Sequence, residues 1–149
     1  MTAIPENGIV ITTDNVVYRG PITVGNGNQA LSVVFDTNGA LSIIEGNSCT
    51  TCGATKYDET AAGSTWAIGS TAFSRTWKLL DQSKTITASG QDGTDKLCIG
   101  TTCLATAKIG LAGTVVNADT NTDGWIGLAL GKGNNDAGVQ PPAGDFILN

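Results

Sequence analysis

The chain contains no histidine among its 149 residues. That absence removes the schemes in which an imidazole activates a serine or cysteine nucleophile. Basic side chains are few, eight Lys and Arg against thirteen Asp and Glu, and they gather into no patch; the formal charge is −5. A surface of that sign has little with which to neutralise phosphates, which argues against nucleic acid and anionic membranes as partners. Long hydrophobic runs are missing too, since nothing approaches the roughly 20 apolar residues that span a bilayer. The opening residues Met1-Thr2-Ala3-Ile4-Pro5 lack the basic region and apolar core of a signal peptide. No internal repeat, low-complexity tract or interdomain linker is visible.

What is present points to strands. Glycine is abundant at 20 residues, charged residues make up 14%, and Thr, Asn, Ser and Asp crowd between short apolar runs. This is the composition of short strands joined by tight turns, and the length suits one domain over residues 1–149 with one sizeable core. The expected fold class is all-β.

Four cysteines fall in two close pairs, Cys49 with Cys52 and Cys98 with Cys103. Four cysteines permit three connectivities; the local pairing is preferred, and a four-thiolate zinc site is the rival. Disulfides belong to oxidising compartments, so the chain is expected to be secreted, with its leader removed and Met1 added for expression.

Along the chain, 8–13 and 16–18 read as strands. Pro21 interrupts 20–24 and, lacking an amide donor, suits an edge or a bulge. Residues 25–28 read as a hairpin loop. The runs 31–35 and 41–44 are too apolar to leave one face in water and are the candidate core strands. Loops, with one helical turn, are expected over 46–74. Hairpin strands are expected at 76–80 and 83–87, another pair at 96–99 and 104–109, an irregular stretch over 131–144, and a last strand at 146–148.

Several motifs occur in an order that resembles one family. Tyr18-Arg-Gly-Pro-Ile-Thr-Val-Gly25 looks like a Tyr-x-Gly-x-Ile-x-Ile-Gly hairpin, and Val33-Val-Phe-Asp-Thr37 looks like the strand that delivers a catalytic Asp-Thr-Gly. Cys49 and Cys52 followed by Lys56-Tyr57-Asp58 and Gly63-Ser-Thr-Trp66, then Thr122-Asp-Gly-Trp-Ile-Gly-Leu-Ala129, continue the match, and Val139-Gln-Pro-Pro142 is like a segment of nematode members. Together they resemble the N-terminal lobe of pepsin-like aspartic peptidases. The resemblance implies a mostly antiparallel single-lobe barrel or sandwich, with Asp36 and Thr37 as the catalytic-type residues.

The departures shape the functional expectation. In this family two Asp-Thr-Gly loops, one per lobe, bring together carboxylates that share a proton and hold the attacking water. This chain offers one. Asn38 replaces the loop glycine, and Gly39 stands where a hydroxyl would bond the carboxylate. Ile43 occupies the place of a tryptophan, and no tyrosine follows Tyr57 to serve the flap, placed around 81–87. The expected function is therefore non-catalytic: a binding or interaction domain with a protein or peptide partner, including a second copy of itself, and no metal or organic cofactor. The first alternative is an aspartic endopeptidase acting through Asp36 as a homodimer or with a missing second lobe. The second is a weak calcium module at Asp119, Asn121 and Asp123, which match the early positions of an EF-hand loop although Leu130 stands at position twelve. Trp66, Trp77 and Trp125 are expected to pack in the core or its rim rather than to form a ligand platform.

Overall fold

The computed structural model describes residues 4–6, 9–13, 17–37, 39, 41–53, 55–78 and 84–128. They form nine strands: β1 (Ile4–Glu6), β2 (Ile9–Thr13), β3 (Tyr18–Val24), β4 (Gln29–Asp36), β5 (Ile43–Glu45), β6 (Ala67–Lys78), β7 (Thr85–Ile99), β8 (Thr102–Val116) and β9 (Gly124–Gly127). The order across the sheet is β1-β2-β3-β4-β9-β5-β8-β7-β6. Pairing is mostly antiparallel, with β4–β9 and β5–β8 parallel. Because β3 also pairs with β7, at Thr23↔Cys98 and Val24↔Leu97, the strands from β3 round to β7 close into a ring. The all-β class read from the sequence is the observed one, and no helix occurs among the described residues.

The central strands are buried on both faces, as their unbroken apolar runs require. Successive residues feed two clusters. Val33, Ile44 and Ile126 pack in one with Ile22, Val24, Leu31, Tyr57, Leu97 and Ile109. Val34, Ile43 and Trp125 pack in the other with Leu41, Phe73, Ile86, Ala88 and Val115.

Pro21 pairs with Ser32 in the β3–β4 ladder. The opposite side of β3 is taken by β2 at Tyr18 and Arg19 and by β7 at Thr23 and Val24. Proline sits in the gap between them, a local edge of the expected kind, where no amide donor is needed. Two expectations are corrected. First, β6 begins at Ala67, inside the stretch expected to be loop. Second, β7 is one strand of 15 residues where two short ones were expected. Asp92 and Asp95 hid it, for both are buried acids. Asp92 accepts the Thr71 amide at 2.8 Å and lies 3.7 Å from the Lys108 amine. Asp95 accepts the Tyr57 and Thr65 hydroxyls. That bond, together with burial as the larger cause, pushes the Tyr57 phenol well above its usual range.

Both disulfides have the local pairing, Cys49–Cys52 and Cys98–Cys103, which leaves no thiolate for zinc. Cys98 and Cys103 face each other directly across β7 and β8. The expected irregular stretch 131–144 and the expected strand 146–148 lie outside the described residues, as do Asn38 and residues 79–83.

Candidate functional site

Asp36 ends β4, where the strand leaves its parallel partner β9; the Leu128 amide donates to the Asp36 carbonyl at 2.8 Å. Thr37 follows in an exposed bend. Side chains alternate along a strand, so Asp36 falls on the same face as Val34, toward the second cluster.

The same rule brings in its partner. Along β6, Phe73, Arg75 and Trp77 turn inward while Ala72, Ser74, Thr76 and Lys78 are exposed. Arg75 is therefore carried into the interior by its neighbours, reaching 3% exposure. Its Nη2 donates to Asp36 Oδ2 at 2.7 Å, with the carboxylate side chain 17% exposed. The guanidinium carbon also lies 4.8 Å from the centre of the Trp77 ring. A guanidinium so placed gains from both the charge pair and the ring face.

Gly39 belongs to this arrangement. A β-carbon built there would lie 2.2 Å from Arg75 Nη2 and 2.5 Å from its Cζ. The serine or threonine of the resembled family could not stand at this position without moving the arginine. The absent hydroxyl and the buried arginine are one substitution in physical terms, because both concern who bonds Asp36.

An aromatic contact joins β6 to β9. Trp77 is the penultimate residue of β6, and its ring meets Trp125 edge-on at 4.9 Å. Trp125 lies directly across from Ile43 in the β5–β9 ladder. An indole thus stands one strand away from Ile43. Trp66 packs instead on the first cluster, edge-on to Tyr57 at 6.2 Å. Each tryptophan has a packing role.

The acidic loop does not converge. The Asp119 carboxylate is turned to the Arg19 guanidinium, and Asp123 Oδ2 accepts the Ser32 amide at 2.7 Å. Asp119 Oδ1 caps the turn through the Asn121 amide at 3.0 Å. Among the described residues no group of three acidic or sulfur ligands is set to hold a metal ion.

The sequence motifs single out Asp36 and Thr37 but not Arg75 or Glu45, which the structure brings into view. The signal for Arg75 was the alternation Phe73-x-Arg75-x-Trp77, in which a charge occupies an inward position. Glu45 interrupts an apolar run, at the end of β5, and is fully buried.

A closed β-ring with an aspartate-threonine pair at the end of its central strand, stapled by a short cysteine loop, defines a single lobe of the acid-peptidase class. The chain matches the sequence profile of the eukaryotic aspartyl protease family over residues 17–147 and belongs to that family. It is 30% identical to rhizopuspepsin-4 of Rhizopus niveus over 149 residues, covering 95% of this chain and 36% of the relative. It is 29% identical to rhizopuspepsin of Rhizopus chinensis, covering 97% and 37%, and 26% identical to syncephapepsin of Syncephalastrum racemosum, covering 98% and 40%. The chain thus spans well under half the length of these relatives.

Proposed function

We infer that this chain is a non-catalytic pepsin-like lobe that acts by binding a protein or peptide, a second copy of itself among the possible partners. The observation that carries this reading is the ion pair between Asp36 and Arg75. Peptide hydrolysis by carboxylates needs two of them sharing a proton and a water, so that one can act as base while the other polarises the carbonyl. Asp36 is instead engaged by a permanent cation, which takes up an oxygen that a water or a second carboxyl would need. Gly39, which leaves room for that cation, supports the same conclusion. The two disulfides support an extracellular setting, since such bonds persist in oxidising compartments.

The second reading is an aspartic endopeptidase completed by another lobe. It is favoured by the position of Asp36 at the strand end and by the Trp77–Trp125 pair, which keeps an aromatic brace between β6 and β9. One assay separates the two. Purified protein is incubated with a denatured protein substrate from about pH 2 to pH 6, with and without pepstatin, beside Asp36→Ala. Our reading expects no pepstatin-sensitive cleavage and no difference between the two proteins. Cleavage that pepstatin and Asp36→Ala both abolish would establish the second reading.

A further inference from the structure

Glu45 is a charged residue type in a place built for an apolar one. It ends β5, between Ile44 and Gly46, and is fully buried. Its backbone ties three pieces together. The Glu45 amide donates to the Asp123 carbonyl at 3.0 Å, and its carbonyl accepts the Tyr57 amide at 2.8 Å, beside the bridge between Gly46 and Tyr57. Its side chain fastens the cysteine loop as well: Oε2 accepts the Gly53 amide at 2.9 Å. Oε1 is buried and has no hydrogen-bond partner among the described residues.

The surroundings are hostile to a negative charge. From the turn before β9, Asp123 and, more weakly, Asp119 lie near enough for their charges to act on it. From the cysteine loop comes Lys56, whose amine donates to the Cys49 carbonyl at 2.8 Å, and Arg19 is directed to Asp119. The strand opposite, β8, presents Gly110, Leu111 and Ala112, none of them charged.

We propose that Glu45 is a pH-operated fastening: as a neutral carboxyl it lets the cysteine loop 46–57 pack against the ring without a buried charge, and on ionisation the cost of that buried charge, which exceeds the gain in the bond from Gly53, favours release of the loop. A neutral carboxyl can be accommodated here with one accepted bond, whereas a carboxylate leaves a full charge near two other acids. Burial is the main cause that raises the Glu45 carboxyl from 4.5 to about 7; the Gly53 amide and Lys56 pull it down, and Asp123 and Asp119 push it further up. The sign follows. With the folded value above the unfolded one, the folded state binds more protons, and the contribution of Glu45 is fully present below pH 4.5 and lost as pH rises to about 7. The effect is read as a difference between two proteins, so that contributions common to both cancel. The inference stands independently of whether the lobe is catalytic.

The test compares wild type with Glu45→Gln, a neutral isostere of the protonated acid, by urea unfolding between about pH 4.5 and pH 7.5. Near pH 4.5 the two should differ least. By pH 7.5 the variant's folding equilibrium should have gained about a hundredfold relative to wild type. In wild type, hydrogen exchange at the Gly53 and Tyr57 amides should accelerate beyond its intrinsic pH dependence over the same range. A stability difference that does not change with pH would overturn the proposal. Should Glu45→Gln not fold, the wild-type protein decides: a Glu45 carboxyl carbon resonance titrating near pH 7 supports the fastening, and one titrating at an ordinary glutamate value refutes it.

Discussion

Arg75→Met should lower the stability of the domain by about 2–4 kcal/mol at neutral pH, and most of that loss should vanish when Asp36→Asn is already present. Methionine keeps much of the stem that packs beside Phe73 and Trp77, so the change isolates the charge. Removing it leaves the Asp36 carboxylate, 17% exposed, facing a largely apolar interior without the donor that sits 2.7 Å away. Partial exposure of Asp36 keeps the expected loss below the upper end known for fully buried pairs. Urea unfolding of the two single variants and the double variant closes the cycle. A coupling of about 1–3 kcal/mol is expected; additivity within about 0.5 kcal/mol would mean that the two side chains do not depend on each other.

Gly90→Ala should be still more damaging, with a loss above about 3 kcal/mol or failure to fold. A β-carbon at Gly90 would lie 1.9 Å from the Leu111 carbonyl oxygen and 2.9 Å from its carbon. These are backbone atoms of β8, so no side-chain rotation relieves the clash. The strands must separate where β7 and β8 already shift register between Ser89 and Gly90. That pairing is one ladder of the ring and supports both core clusters, so the damage does not stay local. Gly27→Ala is the matched control: nothing lies within 4 Å of the corresponding position in the β3–β4 turn. It should change stability by no more than about 0.5 kcal/mol. Equal effects at the two sites, measured by urea unfolding, would contradict the packing argument.

The legible parts of the fold were those in which local pattern and tertiary need agree. The runs 31–35 and 41–44 carry apolar residues on both faces, and they form the strands at the centre of the ring. The close cysteine pairs required no long-range information. Strand β7 was obscured because Gly90, Asp92, Gly93 and Asp95 look like a turn. Each is explained only by something distant in sequence: the carbonyl of Leu111, the amide of Thr71, the ring of Trp66, the phenol of Tyr57. Buried acids of this kind become sensible only when their donors are known.

The site divides in the same way. Asp36 and Thr37 were visible because an acidic residue directly after an apolar strand is a local motif. Arg75 lies 39 residues further along, between the stretch expected as loop over 46–74 and the strand expected at 76–80. Its role depends on a strand pairing that composition does not encode. Trp77 and Trp125 were read as packing residues, and they are, but their mutual contact restores an aromatic brace that the substitution at Ile43 had seemed to remove. A substitution judged alone at one position misjudges the site when the neighbouring strand supplies the missing volume.

The measurement closest to the core of this account is a crystal structure of the protein grown in mild acid. The account predicts the Arg75 guanidinium within about 3 Å of the Asp36 carboxylate in every molecule of the crystal. It is contradicted by an Asp36 free of Arg75 and facing a second Asp36 across a two-fold axis, with one water held between them.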